Sequence, residues 1–244
     1  MRIGTSGWQY TDWRGPLYPP RLAQRHWLHH YARTFTTVEN NNAFYRLPAR
    51  TTFERWRDAT PDHFVMAVKA SRYLTHMKRL NDPAEPVARL LDAATGLGPR
   101  LGPILLQLPP TLKADPERLD ACLRRFPRHI RVAVEPRHPT WWTDDVRAVL
   151  EHHHAALCWA DRLGRPLTPL WRTTDWTYLR LHEGPGHPWP DYTDPDLTAW
   201  IPDLTDDAYV YFNNDPHGAA VRNARRLIEL TRKPLAPPPD RPAP

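Results

Sequence analysis

The sequence predicts an α/β protein: a single TIM-type (β/α)8 barrel over residues 1–232, with an irregular segment where the sixth helix would stand. Three observations predict it. Short apolar runs, each ending in a polar residue, alternate with helix-like stretches, the pattern of βαβ units around a parallel sheet. The chain is 244 residues long, and a barrel of this type closes in about 250 residues. No Gly-x-Gly-x-x-Gly follows any run, so an open dinucleotide-binding sheet gains no support.

The elements follow in order. Arg2–Ser6 is the first strand, and Leu22–Phe35 the first helix, with Leu28, Tyr31, Ala32 and Phe35 on one face. In the second strand, Thr36–Asn41, Val38 opposes Thr37, Glu39 and Asn41, because successive side chains point to opposite faces. Helix Thr51–Ala59 leads to strand Phe64–Lys69, where Phe64, Met66 and Val68 oppose Val65, Ala67 and Lys69. Helix Val87–Leu97, strand Ile104–Leu108 and helix Pro116–Phe126 come next. Strand Ile130–Arg137 sets Val132 and Val134 against Ala133, Glu135 and Arg137, and helix Asp144–His153 follows. After strand Ala155–Asp161, the stretch Arg162–Thr174 has no helical pattern. Strand Trp176–His182 separates Leu179 and Leu181 from Tyr178, Arg180 and His182. Helix Asp196–Ile201, strand Tyr209–Asn213 and helix His217–Leu230 complete the barrel. Residues 233–244 contain six prolines and are expected to form a disordered tail.

Composition narrows the class. Hydrophobic residues are 41% and charged residues 25%, enough for a sizeable core. No run approaches the roughly 20 apolar residues of a membrane span. Met1-Arg2-Ile3 runs straight into a strand, so no signal peptide is expected. Cys122 and Cys158 form neither a disulfide framework nor a metal spacing and fit a reducing cytoplasm. The net charge is +6, and a basic surface attracts phosphates, on small ligands or on nucleic acid. The basic residues are almost all Arg, which reads equally well as genome-wide bias.

Several motifs stand in a recognisable order. They are Gly4-Thr5-Ser6-Gly7-Trp8-Gln9-Tyr10, Trp13-Arg14-Gly15, Leu17-Tyr18-Pro19, Val38-Glu39-Asn40-Asn41 and Phe44-Tyr45-Arg46-Leu47-Pro48. Val68-Lys69-Ala70-Ser71, Thr75-His76, Gln107-Leu108-Pro109-Pro110, Ala133-Val134-Glu135-Pro136-Arg137 and Tyr211-Phe212-Asn213-Asn214-Asp215 follow. Over about residues 1–230 the chain resembles the domain-of-unknown-function 72, or YecE-like, family. The resemblance implies a TIM-type barrel and supplies no reaction. The family tends to carry Gly after the Arg-x-His of the seventh strand. Here Glu183 stands there, followed by Gly184, so the seventh loop is expected to differ.

Strand parity sends a polar set to the carboxyl end of the barrel, where active sites of this fold sit. Glu39, Glu135, Lys69, His182 and Asp161 are the candidate catalytic groups. Trp8, Tyr10, Asn41, Tyr45, His76, Gln107, Arg137, Arg180, Asn213, Asn214 and Asp215 are the candidate substrate-binding groups. Paired carboxylates suit acid–base chemistry of hydrolase, lyase or isomerase type, and Trp8, Tyr10, Tyr45, Trp141 and Trp142 could stack on a ring. Lys69 reads either as a Schiff-base lysine or as a salt-bridge partner of Glu39. No cofactor and no metal ligands are assigned. A divalent metal at Glu39, Glu135, Asp161 and His182 would be opposed by Lys69, Arg137 and Arg180. His152-His153-His154 ends a helix and reads as surface. The loops after strands seven and eight, with the helix start near His217, are expected to bind an anion.

The reading is an enzyme acting on a small anionic substrate, phosphorylated or ring-bearing. Its rivals are a nucleic-acid binding or processing barrel and a non-catalytic binding barrel. A mouth closed by its own ion pairs would favour the last.

Overall fold

The computed structural model describes residues 1–232; the expected tail over 233–244 lies outside them. Eight parallel strands are present, shifted from the expected spans by a few residues at their ends. They are β1 (Arg2–Thr5), β2 (Thr37–Asn40), β3 (Val65–Lys69), β4 (Leu101–Gln107), β5 (Val132–Glu135), β6 (Ala156–Arg162), β7 (Thr177–Leu181) and β8 (Ala208–Phe212). Pairing runs β1-β8-β7-β6-β5-β4-β3-β2, so the sheet curls until β1 faces β2 in a nearly closed TIM-type barrel.

That last seam is thin. It holds one bridge, Ser6 to Glu39, and one bond, Gly7 N–H to the Glu39 carbonyl at 2.8 Å. A side chain supplies the rest. The Tyr31 hydroxyl accepts from Thr5 N–H and donates to the Thr37 carbonyl, both at 3.0 Å. Gly4 is required there because a Cβ would sit 2.2 Å from the Thr37 oxygen.

The outer layer consists of α1 (Trp27–Tyr31), α2 (Asn42–Tyr45), α3 (Arg50–Asp58), α4 (Ala84–Ala94), α5 (Pro116–Leu123), α6 (Asp144–His152), α7 (Asp194–Trp200) and α8 (Ala219–Arg232). Starts are set by capping: Asp115 accepts from Arg118 N–H with Pro116 next in the chain, and Thr193 and Asp196 form a capping box. The first helix is shorter than expected, since Gln24–His26 is a 3-10 turn. The short α2 has no counterpart in the sequence reading.

Strand parity divides the core. Val38, Met66, Val68, Leu106, Val134, Leu179, Val210 and Phe212 belong to the large cluster packed with the helices. Inside the barrel, Ala67, Leu105, Ala133, Ala156 and Cys158 accommodate the bulk of Trp176, Tyr178, Tyr209 and Tyr211. Small residues from β3, β5 and β6 thus face large ones from β7 and β8, and the interior fills to an apolar floor beneath the mouth.

After β6 the chain forms no helix, as expected. Arg165–Pro166 pairs antiparallel onto the end of β6, and an irregular strap follows. Its threonines stand in for sheet partners: Thr173 Oγ1 accepts from Leu157 N–H at 2.9 Å and Thr168 Oγ1 from Ala160 N–H at 3.2 Å. Among the described residues, no helix is long and apolar enough to cross a membrane.

Candidate active site

Arg180 is the centre of the mouth. It rises from β7, is 2% exposed, and uses its whole guanidinium on two carboxylates. Nε donates to Glu39 Oε2 at 3.0 Å and Nη2 to Glu39 Oε1 at 2.9 Å. Nη1 donates to Glu135 Oε2 at 2.6 Å. Glu39 comes from β2 and Glu135 from β5, with β3 and β4 between them. Glu39 also accepts from Tyr178 Oη at 2.7 Å and Ser6 Oγ at 2.5 Å, so each of its oxygens receives one guanidinium N–H and one hydroxyl. Asn41 Nδ2 donates to Ser6 Oγ at 2.7 Å, extending the chain of contacts to the rim.

Glu135 faces a different set. Its Oε1 accepts from Arg137 Nη2 at 3.0 Å and Nε at 3.3 Å, and His182 Nε2 lies 3.3 Å away. Burial alone would push both carboxyls up. The charge of Arg180 overrides it, and both lie below their ordinary 4.5, Glu135 well below. His182 is lowered by burial against the opposing pull of Glu135. Lys69 is driven down to about 8 by burial first and then by Arg180. His76 is lowered by burial and then by Lys69, and both side chains contact the Phe44 ring. A cleft of about 510 Å³ opens over this side, lined by Glu135, Arg137, Arg162, Thr168, His182 and Glu183 among others. A larger groove of about 870 Å³, lined by Tyr45, Arg46, Arg50 and Trp56, contains none of the buried charges.

The structure therefore brings together Glu39, Lys69, Glu135, Arg137, Arg180, His182, Asn41 and His76. Gln107 stands level with Glu135 across β4 and β5 and is buried. Asn213 continues β8 into the mouth, and its Oδ1, like that of Asn41, is buried without a hydrogen-bond partner. Tyr10 joins the rim by donating to the Ser6 carbonyl at 2.7 Å. Tyr45 is 79% exposed and lies edge-on to Phe44 at the outer rim.

Three expectations are corrected, and a fourth loses support. Trp8 is 2% exposed and packs edge-on against Trp56 in the outer core, so its ring is not presented to a ligand. Asp161 has the parity of Trp159 and faces outward, where its Oδ1 accepts from Tyr192 Oη at 2.7 Å. Asn214 also faces out, its Nδ2 held by the Pro190 carbonyl and Asn223 Oδ1. The loops after β7 and β8, expected to bind an anion, use several of their N–H groups internally. Gly184, Gly186, Gly218 and Ala220 N–H all bond to backbone carbonyls, and Arg222 clamps Asp191. Asp215 makes no side-chain cap; its charge is felt by Tyr10 at the rim.

Three residues were missed. Parity already sets Tyr178 on the face of Arg180, and Ser6 bridges to Glu39 at the end of β1, yet neither was among the candidate site residues. Phe44, whose ring lies 4.1 Å from Lys69 Nζ and edge-on to His76, sits on the unforeseen α2. The histidine run lies at the surface as expected, with His153 bonded to Asp120. Among the described residues, no group of three or more His, Cys, Asp or Glu is placed to hold a metal.

A sequence model described as "Protein of unknown function DUF72" matches residues 2–244. The chain belongs to the DUF72 family. The UPF0759 protein YunF of Bacillus subtilis is 27% identical over 93% of both chains. The UPF0759 protein YecE of Escherichia coli is 33% identical over 57% of this chain and 49% of its own. A crystallised DUF72 protein from Thermotoga maritima superposes with a TM-score of 0.83 at 26% identity, covering 95% of this chain and 99% of that one. One from Enterococcus faecalis, at 18% identity and a TM-score of 0.77 over 98% of both, shares the fold. Neither the family description nor these relatives' names give a reaction, so this DUF72 chain's chemistry rests on its own mouth.

Proposed function

We propose that this DUF72 barrel is an enzyme for a small anionic substrate, with His182 as the proton-transfer group. The observation that carries the reading is the charge arrangement. Both buried carboxylates are already taken up by Arg180, while Lys69 has no carboxylate within 4 Å among the described residues and Arg137 keeps its side chain 39% exposed at the cleft. At the mouth Lys69, Arg137 and Arg180 outnumber Glu39 and Glu135, and a cationic surplus attracts an anion.

The two glutamates then have different roles. Glu39, saturated with donors, fixes Arg180 and transfers no proton. Glu135 orients His182: with Nε2–H directed at Oε1, Nδ1 holds the lone pair of a neutral imidazole, the form a general base needs. Outer arginines argue against a nucleic-acid stripe. Arg89, Arg124, Arg147 and Arg226 are paired with Glu85, Asp120, Glu151 and Asp194 on the helices.

The test is a thermal shift with phosphate and with small carboxylates at constant ionic strength. A rise in melting temperature that chloride does not reproduce, and that Arg137→Ala abolishes, supports the reading. No rise, or an equal rise in Arg137→Ala, counts against it.

A further inference from the structure

We infer that Lys69 is a nucleophilic amine that condenses with the carbonyl of a small anionic aldehyde or ketone, forming a Schiff base at the mouth of the barrel. The inference rests on the anion-binding reading above and specifies the substrate class.

The salt bridge to Glu39 that would have made Lys69 structural is not formed. Both Glu39 oxygens are filled by Arg180, Ser6 and Tyr178. Among the described residues, Lys69 Nζ has no hydrogen-bond acceptor and no carboxylate within 4 Å; its recorded contact is the Phe44 ring at 4.1 Å. The side chain is 9% exposed, and its Nζ is not sealed from solvent. Burial first, then Arg180, lower its pKa to about 8 against the opposing pull of Glu39 and Glu135, leaving on the order of a hundredfold more free amine at neutral pH than an ordinary lysine. Lys78, by contrast, is paired with Asp82, and Lys113 is exposed.

The step balances without a redox partner. The Nζ lone pair attacks the carbonyl carbon, the C=O π pair moves to oxygen, and a proton passes from nitrogen to that oxygen. The carbinolamine takes up one further proton and loses water, leaving a protonated C=N bond to Lys69. Arg137, whose Nη1 has no partner among the described residues, is placed to hold the substrate's negative charge.

The experiment treats the full chain with glyoxylate and cyanoborohydride near neutral pH and locates the reduced adduct by peptide mapping. Lys78, Lys113, Lys233 and the Met1 amine serve as internal references. Lys69 is expected to label at least about tenfold faster than Lys78 and Lys113, with a rate rising through about pH 8 and slowed by phosphate. Lys69→Arg should lose this adduct. Equal labelling of the lysines overturns the inference. A phosphate shift without a Lys69 adduct overturns it while leaving the anion-binding reading intact; loss of both removes the two together.

Discussion

Replacing Glu39 by Gln preserves volume and removes one charge, and the geometry says why it is not a mild change. Glu39 accepts four hydrogen bonds, two on each oxygen. The hydroxyls of Ser6 and Tyr178 can rotate to accept from an amide. A guanidinium cannot, and each oxygen faces one of its N–H groups. In either flip, therefore, the amide NH2 meets an Arg180 N–H, and Arg180 is left buried with one carboxylate. Breaking such a buried pair costs about 3–5 kcal/mol, which for a chain of this size lowers the melting temperature by about 6–20 °C. The assay is a circular-dichroism melt near neutral pH. The control is Glu151→Gln, which breaks the half-exposed pair with Arg147 and should cost under about 0.5 kcal/mol. A Glu39→Gln melting temperature within about 2 °C of the parent would refute the reasoning.

Three further outcomes follow from the same geometry. Lys69→Met should stabilise the protein by about 1–3 kcal/mol at neutral pH, because it removes a charge that the fold disfavours; a lower melting temperature would point to a structural lysine. Tyr31→Phe should cost about 1–3 kcal/mol by leaving Thr5 N–H and the Thr37 carbonyl unpaired at the seam, and amide exchange should speed up there first; unchanged exchange at Thr5 would refute it. Acid should destabilise in two stages. His182 and His76, lowered from 6.5, contribute stability that is full above that value and is lost as pH falls through their folded values. Glu39 and Glu135, lowered from 4.5, do the same at lower pH. Urea midpoints at about pH 7, 5.5 and 4 should fall in that order, and equal midpoints at the first two would contradict the histidine stage.

How much of this was legible in the sequence depends on alternation. β2, β3, β5 and β7 alternate apolar and polar residues, so the convergence of Glu39, Lys69, Glu135, Arg180 and His182 followed from parity and closure. The sixth strand, Ala155-Ala156-Leu157-Cys158-Trp159-Ala160-Asp161, is apolar on both faces. Nothing in it marks which way Asp161 points, and it points outward. Beyond a strand end, parity lapses. Gly7 takes φ +91°, which turns Trp8 into the outer core. Asn213 and Asn214 are successive, so both could not face the mouth. Partner choice was also hidden: that a single guanidinium bridges β2 and β5 depends on the barrel's width, which no spacing along the chain encodes.

That bridge explains why acidic and basic groups at one mouth do not simply neutralise one another. A guanidinium presents its donors in a fixed planar fork, and here the fork is filled by Glu39 on one edge and Glu135 on the other. Filling it leaves neither carboxylate within 4 Å of the Lys69 ammonium among the described residues. The Arg180 charge that holds the two carboxyls down also adds to the burial that lowers the Lys69 ammonium. Lysine at position 180 could supply the charge but not two planar contacts at once. On the proposed reading Arg180 is a positioning residue, acting on the mouth through the groups it holds.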